Sequence, residues 1–173
     1  MQFPFLHQDP DSDEILGQCE ESGRDQGHAT LCVSLMGAFC QMAYSIGEDL
    51  FAFDNYRAVA MAEYVGKYNL IKDEAFNKGT LVGDDFVYDS NSFPYTSYSN
   101  PSYTNATIST DQRGTKRPAW ELFYGYCKAK GISSIYSGKW AEQMRPDGGG
   151  GNYGPNSGGF DQLGFGTLMY YRE

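Results

Sequence analysis

The sequence predicts an all-α fold, and three observations support this prediction. Residues 27–46 are apolar on nearly every side of a helix, residues 54–70 have the pattern of a second helix, and residues 119–130 that of a third. A helix that is apolar on every side must be covered on every side. We therefore expect a layered body of helices, formed by residues 1–173 as one domain.

The first helix is the most apolar segment of the chain. No charged residue occurs from Ala29 to Gly47, a run of 19 residues that approaches the length of a membrane span. Polar Thr30, Gln41 and Ser45 interrupt the run, and no basic residue flanks it. We interpret it as a helix buried in protein and expect no membrane association. Its apolar side chains are Leu31, Val33, Leu35, Met36, Phe39, Met42 and Ile46.

Capping residues delimit the next two helices. The pair Asp54-Asn55 is a plausible N-cap for the second helix, whose apolar positions continue to about Leu70. Pro118 suits the first turn of the third helix, and Gly131 suits its end.

Much of the remaining chain consists of polar, loop-forming residues. Residues 1–25 are polar and acidic, and residues 78–115 are rich in Ser, Tyr, Asn and Asp. A loop as long as residues 78–115 in a compact domain is usually functional. A short helix is expected around Trp140, before the glycine run 148–151, and the tail 163–170 fits a strand or a last helical turn.

The composition excludes one class of partner. The chain has 13 Lys plus Arg against 22 Asp plus Glu, which gives a net charge of −9. A nucleic-acid-binding protein needs a basic face, so we expect no nucleic acid, whereas an anionic substrate needs only a few basic residues that converge locally. The 14 tyrosines and 21 glycines suit a surface that stacks on flat, hydroxylated ligands such as sugars.

The acidic residues do not predict a metal site. Asp9, Asp11 and Asp13 have the spacing of a calcium loop, but Glu14 occupies the position where such a loop needs glycine. The chain also contains no CxxC motif, so zinc is not expected. We predict neither a metal nor a cofactor.

The four cysteines leave two interpretations. Cys32 and Cys40 are eight residues apart on one predicted helix, which is too far for a disulfide between them. One interpretation is a disulfide between Cys19 and Cys127. The favoured interpretation is that the cysteines are buried free thiols.

Polar side chains are most concentrated just before the first two helices. The segment 20–28, EESGRDQGH, directly precedes the apolar helix. On the second helix Arg57, Met61, Tyr64 and Tyr68 fall on one face. A guanidinium near a phenol lowers the phenol's pKa, which would suit catalysis. The alternative, favoured by the spacing alone, is a Tyr with a buried ring and a satisfied hydroxyl, and an Arg paired with Glu63 or Asp54.

These segments, in this order along nearly the whole chain, resemble the alginate-lyase-type polysaccharide lyases. Residues 20–28 carry the most specific part of the resemblance. The other matching segments are Asp54-Asn55-x-Arg57, Glu63-Tyr64-x-x-Lys67-Tyr68-Asn69-Leu70, Pro94-Tyr95-Thr96-x-Tyr98, Arg113-Gly114-x-x-Arg117-Pro118-x-Trp120-Glu121, Met144-Arg145-Pro146-Asp147-Gly148-Gly149 and Leu163-Gly164-Phe165-Gly166-Thr167-Leu168.

The resemblance implies an incomplete (α/α) toroid with long loops rich in Tyr, Gly and Ser. The first toroid helices have no counterpart here, so the resemblance implies a domain truncated on its N-terminal side. The helix at 28–46 would then lose part of its cover. The resemblance also implies an extracellular or periplasmic location, although residues 1–7 do not form a signal peptide.

The activity implied by the resemblance is β-elimination on a uronic-acid polysaccharide such as alginate. The uronate carboxylate must be neutralised before the proton at C5 can leave, and an acid must protonate the departing 4-oxygen. Gly27 occupies the position where related lyases often have Asn, so Gln26 is the candidate for the amide role. The catalytic residues implied are His28, Arg57 and Tyr64, and the substrate-binding residues are Arg24, Gln26, Lys67, Tyr68, Tyr95, Arg117 and Arg145.

Two other functions stay open at this point. One is a catalytically inactive carbohydrate-binding fragment. The other is a glycoside hydrolase with two carboxylates, but Glu20 and Glu21 are adjacent, so they would point apart on an extended segment. The oligomeric state is not predicted.

Overall fold

The computed structural model describes residues 5–144 and Tyr170, and this part of the chain is mostly helical. The all-α prediction is therefore right for the bulk of the fold, but it missed a two-stranded antiparallel hairpin. The strands are β1 (Phe5–Gln8) and β2 (Ile15–Gln18); the helices are α1 (Gln26–Ser45), α2 (Phe53–Asn69), α3 (Trp120–Lys130) and α4 (Ile135–Met144); short 3-10 turns lie at Glu20–Gly23, Asp73–Ala75 and Gly83–Asp85.

Helix α2 forms the centre of the fold. Every residue from Val59 to Asn69 is buried, because α2 is in contact with β2 and with the other three helices. The indole rings of Trp120 and Trp140 stack with centroids 5.2 Å apart, and Trp140 Nε1 donates to the carbonyl of Gly66 at 2.9 Å. A Cβ at Gly66 would lie 3.1 Å from the Trp120 ring. The absence of a side chain there lets both indoles pack on the α2 backbone.

Helix α1 has nearly the predicted bounds, but the expectation that it is covered on every side is wrong. Leu35, Phe39, Met42 and Ile46 are exposed. Their spacing of four, three and four residues places them on one face. We call this row the α1 stripe. Among the described residues, no helix is both long enough and apolar enough to cross a membrane.

The predicted N-cap of α2 is also wrong. Asp54, Asn55 and Tyr56 have left-handed φ angles of 48°, 56° and 61°, so the regular right-handed helix begins at Arg57. This conformation costs a residue with a Cβ about 1–2 kcal/mol. The Asp54 carboxylate pairs with Arg57 Nε at 2.9 Å across the turn.

Three further predictions are confirmed, those of the long loop, the end of α3 and the helix around Trp140. Residues 78–115 are mostly irregular, with one short 3-10 turn and a single β-bridge from Phe86 to Ile71. Gly131 caps the end of α3 with a left-handed φ of 68°, and α4 contains Trp140. The predicted glycine loop at 148–151 and the tail segment 163–169 lie outside the described residues.

Candidate functional site

His28 is held in place by the residue that caps α1. One oxygen of the Asp25 carboxylate accepts the His28 backbone N–H at 2.8 Å, and the other lies 2.6 Å from His28 Nδ1. The His28 side chain is 40 % exposed. Because Nδ1 faces the carboxylate, Nε2 is the nitrogen that remains for a ligand. The arrangement is that of an oriented general acid or base.

Arg24 supplies a cation beside this pair. Its guanidinium lies 3.3 Å from the Glu21 carboxylate and 3.6 Å from the Asp25 carboxylate, and it is partly exposed. Its Cζ lies 6.0 Å from the centre of the Tyr103 ring. Arg24 is thus the predicted substrate-binding residue that the structure places next to His28.

Gln112 supplies an amide that the sequence reasoning missed. A Cβ at Gly27 would lie 2.1 Å from Gln112 Oε1, so the Gln112 carboxamide occupies the space that a side chain at position 27 would fill. Gln112 is exposed and has a left-handed φ of 55°. The available signal was Gly27, which stands where the sequence resemblance leads one to expect Asn, so that an amide could come from elsewhere.

Gln26, the predicted amide, is instead fully engaged within the protein. Its side-chain nitrogen donates to the carbonyls of Ser22 and Ser109, at 3.1 and 3.0 Å, and its oxygen accepts from Asn69 Nδ2 at 2.9 Å. It is buried. Gln26 therefore ties the start of α1 to a loop and to α2, with no polar atom left for substrate.

Arg57 and Tyr64 are not brought together. Tyr64 is buried, and its hydroxyl donates to the carbonyl of Pro94 at 2.8 Å. Burial raises the pKa of Tyr64 well above its usual value. Arg57 pairs with Asp54. The hypothesis of an Arg57 guanidinium that lowers the pKa of Tyr64 is therefore wrong, and the alternative of a satisfied phenol and an Arg57–Asp54 pair is confirmed.

Tyr68 is buried beside a different arginine. Its ring lies 4.0 Å from the Cζ of Arg113, whose Nε donates to the Tyr68 carbonyl at 2.7 Å. Burial raises the pKa of Tyr68, and this effect outweighs the opposing effect of the Arg113 charge. Arg113 also donates to the carbonyl of Tyr88, so it fastens the long loop to α2.

Lys67 is buried in an internal ion-pair network. Its Nζ pairs with Asp9 and with Asp11, the latter at 2.6 Å, and lies over the rings of Tyr88 and Tyr136 at 4.5 and 5.2 Å. Only 1 % of the side chain is exposed. This geometry joins α2 to the hairpin and leaves Lys67 with no accessible surface for a substrate.

Tyrosines of the long loop cover the segment before α1. The Tyr95 hydroxyl donates to the carbonyl of Asn105 at 2.7 Å and lies 2.4 Å from where a Cβ of Gly23 would be. The hydroxyls of Tyr98 and Tyr103 are 3.3 Å apart. Tyr95 is thus near the predicted site, but its hydroxyl is already engaged.

The two remaining predicted arginines are Arg117 and Arg145. Arg117 is buried, and its charge acts on the thiol of Cys32. Arg145 lies outside the described residues. Five residues lie around the start of α1, and we call them the α1 site: Arg24, Asp25, His28, Tyr103 and Gln112. Asp25 is buried, whereas Arg24, His28 and Gln112 are at least partly exposed.

The α1 site has no arrangement suited to a metal. Among residues 5–144 and Tyr170, no group of three or more His, Cys, Asp or Glu side chains is placed to hold a metal ion.

Comparison with known proteins adds no relative: no protein-family model, no curated protein and no solved structure matches the chain.

Proposed function

We propose that the protein is a polysaccharide lyase that cleaves a uronic-acid polysaccharide, such as alginate, by β-elimination. The observation that supports it most is the pair formed by Asp25 and the half-exposed His28, with the Arg24 cation and the Gln112 amide beside it. These are the group types that elimination next to a carboxylate requires.

In the proposed reaction, Arg24 and Gln112 bind the uronate carboxylate and stabilise the charge that develops on it. His28 Nε2 takes the proton from C5, a double bond forms between C4 and C5, and the bond from C4 to the departing oxygen breaks. Asp25 stabilises the imidazolium that forms, because its carboxylate faces Nδ1 at 2.6 Å. The departing oxygen receives a proton from an acid. No metal or cofactor takes part in this scheme.

Tyr64 fits the role of that acid better than the role of a base. Its pKa is raised by burial, so the phenol holds its proton at neutral pH. The hydrogen bond from its hydroxyl to the Pro94 carbonyl must open before it can reach a substrate. Arg57, Tyr68, Tyr95, Arg117 and Arg145 remain predictions from the resemblance.

The toroid is likewise part of the proposal. The α1 stripe supports it, because a row of exposed apolar side chains on a helix is suited to a further helical layer. An anionic polysaccharide as substrate, and an extracellular or periplasmic location, follow from the same proposal.

The test is a product analysis with polymannuronate, polyguluronate and glucuronan as substrates. A lyase creates an unsaturated uronate that absorbs in the ultraviolet. New reducing ends without this absorbance would identify a hydrolase, and binding without any product would identify a carbohydrate-binding domain.

His28→Asn is expected to abolish the ultraviolet signal without loss of the folded state, and Asp25→Asn to reduce it strongly. Lys130→Met, a change on an exposed side chain of α3, is the control and should retain full activity. Full activity of His28→Asn would contradict the proposed role of His28.

A further inference from the structure

A row of aromatic side chains extends from the α1 site to the hairpin. The ring centroids of Phe5 and Tyr98 are 6.3 Å apart, and the hydroxyls of Tyr98 and Tyr103 are 3.3 Å apart. The centre of the Tyr103 ring lies 6.0 Å from the Cζ of Arg24. We call Phe5, Tyr98 and Tyr103 the aromatic row. Its contacts lead from strand β1 across the long loop to a cation of the α1 site.

The rings of the aromatic row remain accessible to a ligand. Phe5 is 40 % exposed, and Tyr98 and Tyr103 are partly exposed. Alternate residues of a strand lie on the same face, so Phe5 shares a face of β1 with His7, whose ring stacks on Tyr64 at 5.8 Å. This face of the strand therefore turns toward the tyrosines, and the Phe5 ring still keeps much of its contact with water.

Hydrogen bonds hold the two tyrosines of the row. The Tyr103 hydroxyl donates to the Glu20 carbonyl at 3.2 Å, so in its pair with Tyr98 it is the acceptor and Tyr98 is the donor. The Tyr98 oxygen can in addition accept a hydrogen bond from a hydroxyl of a ligand. Because both side chains are tied to the backbone before α1, a ligand that stacks on their rings loses little affinity in ordering them.

The composition around the row indicates the kind of ligand. No charged residue occurs from Ser90 to Thr110, where the chain consists mostly of Ser, Thr, Tyr, Asn and Pro. Exposed Ser97, Ser99 and Ser102 directly flank the two tyrosines. A sugar ring has an apolar face of C–H groups and a rim of hydroxyls, so a surface of aromatic rings and small hydroxyls is matched to it.

We propose that the aromatic row is a sugar-binding subsite, which holds the polysaccharide beyond the residue that reacts at the α1 site. Phe5 and Tyr98 stack on the apolar faces of sugar rings, and Arg24 connects the row to His28. The choice of a polyuronate as ligand rests on the proposed lyase function. The row itself recognises the sugar ring rather than its charge, so it adds affinity for long chains and little for short ones.

The test measures the affinity of oligouronates of increasing length by calorimetry, with His28→Asn as the parent protein so that no ligand is cleaved. Phe5→Leu keeps an apolar side chain but removes the ring, so it should weaken the binding of long oligomers about two- to tenfold and leave the shortest unchanged. Phe5→Tyr keeps the ring and should retain the parent affinity. Phe53→Leu is the matched control, because Phe53 is 59 % exposed on α2, outside the row.

A salt series separates the row from the cation beside it. Salt does not screen stacking on an uncharged ring, so the loss for Phe5→Leu should be the same at low and high ionic strength. Arg24→Gln removes an exposed charge, so its loss should shrink as salt is added. A Phe5→Leu loss that disappears at high salt would contradict recognition of the sugar ring.

The outcomes distinguish the subsite from the lyase function. Parent affinity of Phe5→Leu for long oligomers, or an equal loss in Phe53→Leu or Phe5→Tyr, would overturn the subsite, whereas the ultraviolet assay of the wild-type protein tests the lyase function separately. Weaker binding by Phe5→Leu, without any unsaturated product from the wild-type protein, would support the subsite and refute the lyase function. A wild-type protein that binds no oligouronate would refute both.

Discussion

Replacement of Lys67 by methionine tests whether this residue serves the fold or the substrate. Methionine has a similar length and no charge, so the change leaves Asp9 buried without its cation. Asp9 is almost inaccessible, and its remaining side-chain donors are the Tyr136 hydroxyl at 2.6 Å and the hydroxyl of Ser12 at 2.7 Å. The free energy of unfolding should fall by about 3–5 kcal/mol, the usual cost of breaking a buried ion pair on one side.

The pH dependence sharpens this prediction. Burial alone would raise the pKa of Asp9, but the hydrogen bonds from Lys67 and Tyr136 outweigh it and lower the pKa to about 2. The wild-type protein therefore gains stability from Asp9 above its ordinary pKa near 3.8 and loses it as the pH falls through about 2. In Lys67→Met burial dominates, so Asp9 should favour its protonated form. The loss in free energy of unfolding relative to wild type should therefore shrink as the pH is lowered.

The chain provides a matched control for this substitution in Lys130. Lys130 pairs with Asp49 at 3.5 Å, Tyr126 donates its hydroxyl to the same carboxylate at 3.0 Å, and the Tyr44 and Tyr126 rings lie 5.6 and 5.8 Å from the ammonium. Like Lys67, Lys130 has an aspartate partner and two tyrosine rings, although Lys67 also pairs with a second aspartate, Asp11. The main difference is that 41 % of the Lys130 side chain is exposed. Because water screens an exposed pair, Lys130→Met should cost only about 0–1 kcal/mol.

The assay is urea unfolding of both variants, followed by circular dichroism from pH 3 to pH 8. Equal costs for the two substitutions would refute the argument from burial. A Lys67→Met protein with wild-type stability and a raised KM for polyuronate would instead support the predicted role of Lys67 in substrate binding.

Three further predictions concern single residues. Asn55→Gly should raise the melting temperature, because glycine relieves about 1 kcal/mol of left-handed strain, and an unchanged melting temperature would contradict that strain. Burial raises the pKa of Glu63 to about 7, so the stability it contributes should fall as the pH rises from about 4.5 to about 7. In urea unfolding Glu63→Gln should lack this fall, and a pH profile parallel to that of the wild-type protein would contradict the raised pKa. If the proposed lyase function is right, Gly27→Ala should displace Gln112 and lower turnover more than stability, whereas Gly79→Ala, where a Cβ meets nothing within 4 Å, should change neither.

The sequence predicted the helices well because their signals are local. The apolar run of α1, the proline before α3 and the glycine after it all act within a few residues of the element they define. The hairpin lacked such a signal, since each strand has only four residues. Its position depends on tertiary contacts: Leu16 is fully buried, and a Cβ at Gly17 would lie 3.0 Å from the backbone nitrogen of Met61 in α2.

The candidate site was predicted less well because its contacts connect distant parts of the chain. The spacing of Arg57 and Tyr64 placed both on one helix face, but the Tyr64 hydroxyl is taken by Pro94, thirty residues away. Gln112 reaches Gly27 from the far end of the long loop. Neither contact leaves a periodic pattern in the sequence, so the spacing of residues on a helix could not predict it.

The polar residues at the start of α1 have two separate tasks, which explains their density. Gln26 joins two carbonyls and the Asn69 side chain, and the Asn69 oxygen accepts the backbone N–H of Gly114 at 2.9 Å, so this pair holds α1, α2 and the long loop in fixed relation. Asp25 then fixes His28 on that rigid base. The half-exposed imidazole keeps one orientation because the residues around it form their hydrogen bonds within the protein. A substitution at Gln26 should therefore lower activity through the position of His28, with a loss of stability, whereas a substitution at Arg24 should weaken substrate binding in a stable fold.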